Sequence, residues 1–230
     1  MSTKNHELGY KSLTQCVTDY LKERLARGEL KPGEEINLTS VCETLGVSRS
    51  PVREAMIQLV KEGFVEAAER RRFRIKKLMS REIHDLYEAG GFLEGEVIVQ
   101  ACDKITEDDL DSLDRLLRDV EAALDARNPA AFTETNSAFN SCIWRHCDNR
   151  IILEFFDTVR ERLYFATKRA DAEEWNRMLL EDHQELVRLL RARDKGGLQS
   201  LLRERHWSYS RNLPFISRFY KLNGDSESGT

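Results

Sequence analysis

The 230-residue chain lacks the segments that would place a protein in or across a membrane. It has no run of eighteen apolar residues, which is about the length that spans a bilayer, and its first ten residues lack the apolar stretch of a secretory signal. Its five cysteines contain no Cys-x-x-Cys pair and are odd in number, so we expect reduced core thiols. These absences predict a cytoplasmic protein without a membrane partner.

The formal net charge of −4 conceals an asymmetry along the chain. Residues 1–78 contain 15 Lys and Arg against 11 Asp and Glu, whereas residues 79–230 contain 21 against 29. A basic front part followed by an acidic rear part indicates that only the front part meets a polyanion such as DNA.

The stretch Leu45–Met56 has the features of the turn and second helix of a helix-turn-helix. Gly46 suits the tight turn, because glycine takes a positive φ without a steric cost. Ser48 or Ser50 can cap the next helix, and Pro51 is tolerated in a first helical turn. Apolar residues then recur at helical spacing and leave the arginines on another side. An ordinary capped amphipathic helix is the alternative interpretation.

An alternating segment, residues 72–77, follows this helix. Its apolar residues Phe73 and Ile75 alternate with cations, which is typical of a strand with one wet, cationic face. Together with residues 64–66 it predicts a two-stranded wing that contacts phosphates or a minor groove. A solubilising hairpin is the alternative, although six cations between residues 70 and 77 exceed ordinary surface needs.

Residues 12–77 resemble the winged-helix domain of the GntR superfamily of bacterial transcription regulators. Residues Val47–Met56 match that family's Val-Ser-Arg-Thr-Pro-Val-Arg-Glu-Ala-Leu signature nearly residue for residue. The resemblance implies that Arg49 and Arg53 contact bases and phosphates and that Thr39 contacts the DNA backbone. The wing departs from the family pattern, because its tip contains no glycine. The predicted DNA-binding residues are Thr39, Ser48, Arg49, Ser50, Arg53, Arg70, Arg71, Arg72 and Arg74.

The rest of the chain carries apolar residues at helical spacing in six or so segments, with no strand pattern and no repeat. We therefore predict a mainly α protein. Its N-terminal winged helix-turn-helix domain, with a small β-wing, covers residues 1–78, and its C-terminal all-α antiparallel helical bundle covers residues 79–222. Residues 223–230 are expected to be a disordered tail. We expect Trp144 to be a packing residue and four cations to form a solvated face: Arg160, Arg162, Lys168 and Arg169.

This bundle resembles the FCD ligand-binding domain of the FadR-type branch of that superfamily. The likeness lies in residues Leu86–Glu94 of the opening helix, in Asn136–Asn140, and in Glu181–His183 with Arg205–Trp207 near the end. The family implies a small-molecule effector inside the bundle, and commonly a divalent metal held by one Asp and three His.

The matching positions here are Asn136, Asn140, His183 and His206, so two of the four expected metal ligands are neutral amides. An amide supplies neither the charge of Asp nor the imidazole nitrogen that zinc-like ions favour. No cofactor is therefore certain. A divalent metal on His183 and His206 is one alternative, a metal-free polar effector pocket is the second, and a pair of satisfied core histidines is the third.

Gly90 stands where the family often has an arginine that pairs with an acidic effector, and Gly91 follows it. Two glycines inside a helix cost about 1 kcal/mol each relative to alanine, so the pair needs a reason. Room for a ligand and close packing at a dimer contact are the two interpretations. The loss of the arginine and of two metal ligands suggests a larger or less charged effector.

Taken together, these patterns predict a bacterial transcription regulator, most simply a repressor. The resemblance implies a homodimer on an inverted-repeat operator in double-stranded DNA, modulated by a small-molecule effector in the bundle. The alternatives are a metal-dependent helical hydrolase that uses His183 and His206, and an architectural DNA binder without an effector. The hydrolase leaves the basic wing unexplained, and the architectural protein leaves the polar residues of the bundle unused.

Overall fold

The computed structural model describes residues 11–69, 72–164 and 173–220. The chain divides into two compact units, residues 1–77 and residues 78–230. The mainly α fold class is confirmed, since helices dominate and the described strands form one two-stranded sheet. The predicted C-terminal tail lies outside the described residues. Nowhere in the described ranges does a helix combine the length and apolar character of a membrane span.

Three helices and a β-hairpin form the described part of the first unit. They are α1 (Leu13–Ala26), α2 (Leu38–Leu45), α3 (Arg49–Lys61), β1 (Val65–Ala68) and β2 (Arg72–Ile75). The strands are antiparallel, with Val65 opposite Ile75 and Ala68 opposite Arg72. Helix α3 packs against α1, α2 and β1. This is the architecture of a winged helix-turn-helix, with α3 in the position of the recognition helix.

The core of this unit uses the apolar stripes that the sequence predicts. Helix α1 begins at Ser12, whose hydroxyl accepts a hydrogen bond from the backbone N–H of Gln15 at 3.1 Å. Burial of a large apolar side chain stabilises the fold by about 1.5–3 kcal/mol, so the buried face of α3 holds that helix firmly in place. The buried side chains include Val17, Leu21, Leu25, Val52, Ala55, Met56, Leu59 and Ile75.

The cap of α3 differs from expectation, whereas α2 has a clear side-chain cap. Helix α2 is capped by Asn37, whose side-chain oxygen accepts hydrogen bonds from the N–H groups of Thr39 and Ser40. Ser48 is the N-cap residue of α3, but its side chain makes no capping hydrogen bond. The Ser50 hydroxyl instead donates to Glu54 at 3.1 Å. Neither serine hydroxyl therefore caps the recognition helix.

The described part of the second unit contains seven α-helices and one π-helical segment. The α-helices are α4 (Ser80–Cys102), α5 (Glu107–Asp125), α6 (Pro129–Trp144), α7 (Arg150–Tyr164), α8 (Glu173–Arg191), α9 (Lys195–Ser200) and α10 (Tyr209–Tyr220). The π-helical segment, Leu201–His206, continues directly from α9. Helix α4 packs along α7 and the π-helical segment, and α5 packs along α6 and α8.

Local signals fix the ends of the central helices. At the start of α5, the Thr106 hydroxyl accepts from the N–H of Asp109, and the Asp109 carboxylate accepts from the N–H of Thr106 at 2.9 Å. This reciprocal pair satisfies two donors that a helix start would leave unbonded. Helix α6 begins with Pro129 after Asn128, whose side chain accepts from the N–H of Ala131. The cap at Asn128 fixes the residue at which α6 begins.

Candidate functional site

The recognition helix α3 buries one side and exposes the other. Val52, Ala55 and Met56 are fully buried, whereas Arg49 and Arg53 are exposed one turn apart near the N-terminal end. No ion pair joins either arginine to a described residue. Two exposed guanidinium groups on the first turns of a helix can form bidentate contacts to base edges or phosphates.

The polar residues around α3 are also exposed. Thr39 lies in the first turn of α2, and Ser48 lies at the start of α3. Ser50 is exposed as well, with its hydroxyl on Glu54. The second oxygen of Glu54 accepts from the Thr14 hydroxyl at 2.9 Å. The carboxylate beside the arginines is therefore tied to neighbouring hydroxyls.

The hairpin places its cations on one face. Phe73 and Ile75 are buried, while Arg72 and Arg74 are exposed, which confirms the predicted alternation. The guanidinium of Arg72 lies 3.0 Å from the carboxylate of Glu35, so it is already ion-paired. Arg74 lies across the hairpin from Glu66. The two predicted cations of the tip, Arg70 and Arg71, lie outside the described residues.

In the second unit, the structure brings two of the predicted effector residues together. The rings of His183 and His206 are stacked with centroids 5.8 Å apart, and the ring of Phe139 stacks on His183 with centroids 4.3 Å apart. His183 is 4% exposed, and its Nδ1 has no hydrogen-bond partner among the described residues. Burial, together with the nearby His206, lowers the pKa of His183 to about 3. Its imidazole is therefore neutral at physiological pH.

His206 is held between two buried carboxylates. Its Nδ1 lies 3.4 Å from Asp182, and its Nε2 lies 3.9 Å from Glu94. Asp182 also forms ion pairs with Arg205 at 2.7 Å and with Arg211 at 2.6 Å. Burial alone would raise the pKa of Asp182, but the hydrogen bonds from His206 and Arg211 outweigh it and lower the pKa to about 2. Asp182 is thus a fixed negative charge that orients the imidazole.

The π-helical segment supports this arrangement. Its last residue, His206, accepts a hydrogen bond at its carbonyl oxygen from the side-chain amide of Asn212 at 3.0 Å. The next residue, Trp207, donates its indole N–H to Glu94 at 2.6 Å. Such π-helical turns often occur at functional sites.

The predicted residues Asn136 and Asn140 lie one turn apart on α6, on either side of the buried Phe139. The side-chain oxygen of Asn136 is buried without a hydrogen-bond partner in the described ranges. Since Phe139 stacks on His183, this part of α6 faces the histidine pair.

Gly90 lies beneath an indole ring. A Cβ added at Gly90 would lie 2.6 Å from atoms of Trp207, and one added at Gly91 would lie 3.1 Å from the Trp207 Cβ. The glycine pair therefore allows a close approach of helices within one chain. The family arginine is absent from this position, and the indole occupies the space above Gly90.

The donor set does not fit a tightly held divalent metal. Two of the four positions, Asn136 and Asn140, offer neutral amides, and the nitrogens of His206 face Asp182 and Glu94. Across the described ranges, no group of three or more His, Cys, Asp or Glu side chains could hold a metal ion. Zinc sites in proteins are usually built from three or four such ligands.

Sequence reasoning missed Glu94 and Asp182, which lie beside His206, and Arg160, which lies over Trp144. Glu94 and Asp182 are buried carboxylates, and Arg160 has a buried Nε without a hydrogen-bond partner among the described residues.

The expected solvated face is wrong for Arg160 and Arg162, whose Nε atoms are both buried, and Lys168 and Arg169 lie outside the described residues. Arg160 lies four residues after the fully buried Phe156 and shares its side of α7. That spacing was the available signal.

The fold and these two sites define a winged-helix transcription regulator with a helical ligand-binding domain. Residues 13–75 match the family "Bacterial regulatory proteins, gntR family", and residues 85–206, more than half of the chain, match the FCD domain. The chain therefore belongs to the GntR family, in its FCD-containing branch.

Curated relatives agree with this assignment. The chain is 30% identical over 146 residues to the uncharacterized HTH-type transcriptional regulator YdhC of Bacillus subtilis. These aligned residues cover 63% of this chain and 65% of YdhC. It is 28% identical to the HTH-type transcriptional regulator McbR of Escherichia coli, over 84% of this chain and 89% of McbR. The HTH-type transcriptional repressor GlaR of E. coli is 26% identical over 80% of this chain and 88% of GlaR.

A solved structure, that of E. coli McbR/YncC, superposes on this chain with a TM-score of 0.72 at 25% identity. The superposition covers 92% of this chain and 100% of the other. The chain is thus a DNA-binding transcription regulator, and the relatives give no support to the hydrolase alternative.

Proposed function

We propose that this regulator acts in the cytoplasm as a homodimer that represses transcription from an inverted-repeat operator and responds to a small metabolite in its helical domain. A single winged helix contacts only a short half-site, and the second subunit of a two-fold symmetric dimer contacts the second half-site. A dimer that covers a promoter represses by exclusion alone. GlaR, a repressor of similar sequence, supports this sign of regulation.

The observation that carries the DNA-binding proposal is the exposure of Arg49 and Arg53 on a helix whose other side is fully buried. We assign base contacts to these two arginines. Phosphate contacts are assigned to the polar residues at the starts of α2 and α3 and to the wing: Thr39, Ser48, Ser50, Arg70, Arg71, Arg72 and Arg74.

We assign the effector to the cluster around His183, namely Asn136, Asn140, His183 and His206. Gly90 contributes by leaving room for the indole of Trp207 beside this cluster. Ligand in the bundle would favour one of two arrangements of the dimer and so change operator affinity. It can shift this equilibrium only by its difference in affinity for the two states.

Fluorescence anisotropy with a duplex from the region upstream of the protein's own gene tests the DNA-binding assignment. Arg49→Ala and Arg53→Ala should each cost about 1–3 kcal/mol of specific binding. Arg27→Ala is the matched control, because Arg27 is an exposed arginine of the same domain that is ion-paired with Glu23. Equal losses in all three variants would contradict the assignment.

A further inference from the structure

One face of helix α6 carries a stripe of three residues, and at each end of this stripe a polar atom lacks a hydrogen-bond partner among the described residues. Asn136, Asn140 and Trp144 follow one another at intervals of four residues and so share a helix face. The Asn136 side-chain oxygen and the Trp144 indole N–H are both buried and lack hydrogen-bond partners among the described residues. At 1.5 Å per residue, the two positions lie ~12 Å apart along the helix.

The end of the stripe near Asn136 is neutral. Phe139 lies between the two asparagines in the sequence, and His183 stacks on its ring. The Nδ1 of His183 also lacks a hydrogen-bond partner in the described part of the chain. A buried polar atom without a partner is costly. A ligand group that both donates and accepts hydrogen bonds, such as a hydroxyl, satisfies both atoms.

The other end of the stripe carries a guanidinium that is ion-paired with Asp157. The Arg160 guanidinium lies over the ring of Trp144, 5.0 Å from the ring centroid. Its terminal nitrogen donates to Asp157 at 2.9 Å, while its buried Nε has no partner among the described residues. Among the described residues, the Nε–H of Arg160 and the indole N–H of Trp144 have no acceptor, and two such donors suit one carboxylate.

A continuous run of rings joins the two ends. Trp144 lies edge-on to Phe156 with centroids 5.1 Å apart, and Phe156 lies 6.0 Å from Trp207. Trp207 in turn lies 5.9 Å from His206, which stacks on His183. These rings are largely apolar and lie between the Arg160 end and the neutral end near Asn136.

We propose that Asn136, His183, Trp144 and Arg160 line a ligand-binding cleft and that this cleft binds an elongated organic anion. Its carboxylate lies between Arg160 and Trp144, and a hydroxyl-like group at its far end contacts Asn136 and His183. The cation that this chain lacks at Gly90 of α4 is thus supplied by Arg160 of α7. This inference rests on the proposed function, since it specifies the chemical class of the effector.

Isothermal titration calorimetry with the full chain tests the inference. The probes are 4-hydroxybenzoate, 4-hydroxycinnamate and 10-hydroxydecanoate, with cinnamate and decanoate as controls that lack the hydroxyl. We expect the longer hydroxy acids to bind more tightly than 4-hydroxybenzoate and than their hydroxyl-free controls. The preference for length follows from the separation of the two ends, and the preference for the hydroxyl follows from the unpaired atoms of Asn136 and His183.

Substitutions separate the two ends of the cleft. Arg160→Gln should weaken binding at least about tenfold, because a charge-assisted hydrogen bond is lost, and Arg160→Lys should restore part of it. Asn136→Leu should abolish the preference for 10-hydroxydecanoate over decanoate. Arg150→Gln, at an exposed position of α7, is the matched control and should bind as the wild type does. Thermal melts identify any variant that fails to fold, and Arg160→Lys then stands in for the glutamine variant.

Absence of binding by every probe, or equal binding by the wild type and both Arg160 variants, would overturn the inference. Anisotropy with the upstream duplex is run on the same wild-type preparation. If the protein binds that duplex and releases it on addition of a cell metabolite extract, but binds no probe, only the inference fails. If it does not bind the duplex, the proposed function fails.

Discussion

The indole of Trp207 lies directly over Gly90, so close that a Cβ at Gly90 would meet its six-membered ring at 2.6 Å. The same indole donates to the buried carboxylate of Glu94. Because Gly90 has no side chain, the indole can lie against the helix, where it donates to Glu94, the carboxylate beside His206.

Gly90→Ala should destabilise the protein by about 1–3 kcal/mol, because the added methyl group overpacks a filled site and displaces Trp207. Gly95→Ala on the same helix is the control. Among the described residues, no atom outside its own stretch of helix lies within 4 Å of where that methyl group would be, and alanine is favoured over glycine in a helix by about 1 kcal/mol. Chemical denaturation followed by circular dichroism measures both. Equal or greater stability of Gly90→Ala would show that the indole does not depend on this contact.

Asp182→Asn should lower the free energy of unfolding by about 2–4 kcal/mol, because it leaves Arg205 and Arg211 without the buried charge that they share. Glu185→Gln tests an exposed pair on the same helix, that with Arg188, and should cost less than about 1 kcal/mol. The comparison is made in urea at neutral pH. Similar costs for the two variants would mean that Asp182 is not an organising charge.

Asp109 should make stability depend on acid pH. Burial alone would raise the pKa of Asp109, but hydrogen bonds from Thr106 and Arg145, with the nearby His146, outweigh it and hold the pKa well below the ordinary value of 3.8. The unfolded chain then binds more protons as pH falls, so this stabilisation is complete above about pH 5 and is lost as pH falls through the native pKa.

Urea unfolding at several pH values from 7 to 3 measures this dependence. Asp109→Asn should be less stable than the wild type by about 2–3 kcal/mol at pH 7, and the difference should shrink toward pH 3. The remaining acid dependence includes Asp182, whose pKa is also lowered. A constant difference at all pH values would contradict the assignment.

Arg74→Ala should weaken binding to specific and random duplexes alike, because we propose that this wing cation contacts phosphates and not bases. The slope of log affinity against log salt concentration should fall by about 1 in magnitude. Arg49→Ala should instead reduce the difference between operator and random DNA. Anisotropy titrations at several salt concentrations measure both quantities. A loss confined to the operator in Arg74→Ala would assign base recognition to the wing.

The fold was largely predictable because its signals are local. Gly46 has a φ of +65° where a tight turn was expected, and the alternation of Phe73 and Ile75 marks a strand without knowledge of its partner. The start of α2 was less predictable, because Asn37 and Ser40 are both capable caps. Only the folded chain shows that Asn37 satisfies two backbone donors.

The candidate effector site was predictable only in part. His183 and His206 followed from a family resemblance, whereas Glu94 and Asp182 lie beside His206 through packing between segments distant in sequence. Arg160 likewise reaches Trp144 across two helices. The π-helical turn before Trp207 was also not predictable, because it changes the hydrogen-bond register of the helix without requiring particular residue types.

A DNase footprint of the full chain on its own upstream region shows directly whether α3 of a symmetric dimer recognises an operator. We expect protection of an inverted repeat whose half-site centres lie about 10 base pairs, or a multiple of that, apart. Arg49→Ala should lose this footprint at the same protein concentration. Protection without two-fold symmetry, or an unchanged footprint in the Arg49 variant, would contradict this expectation.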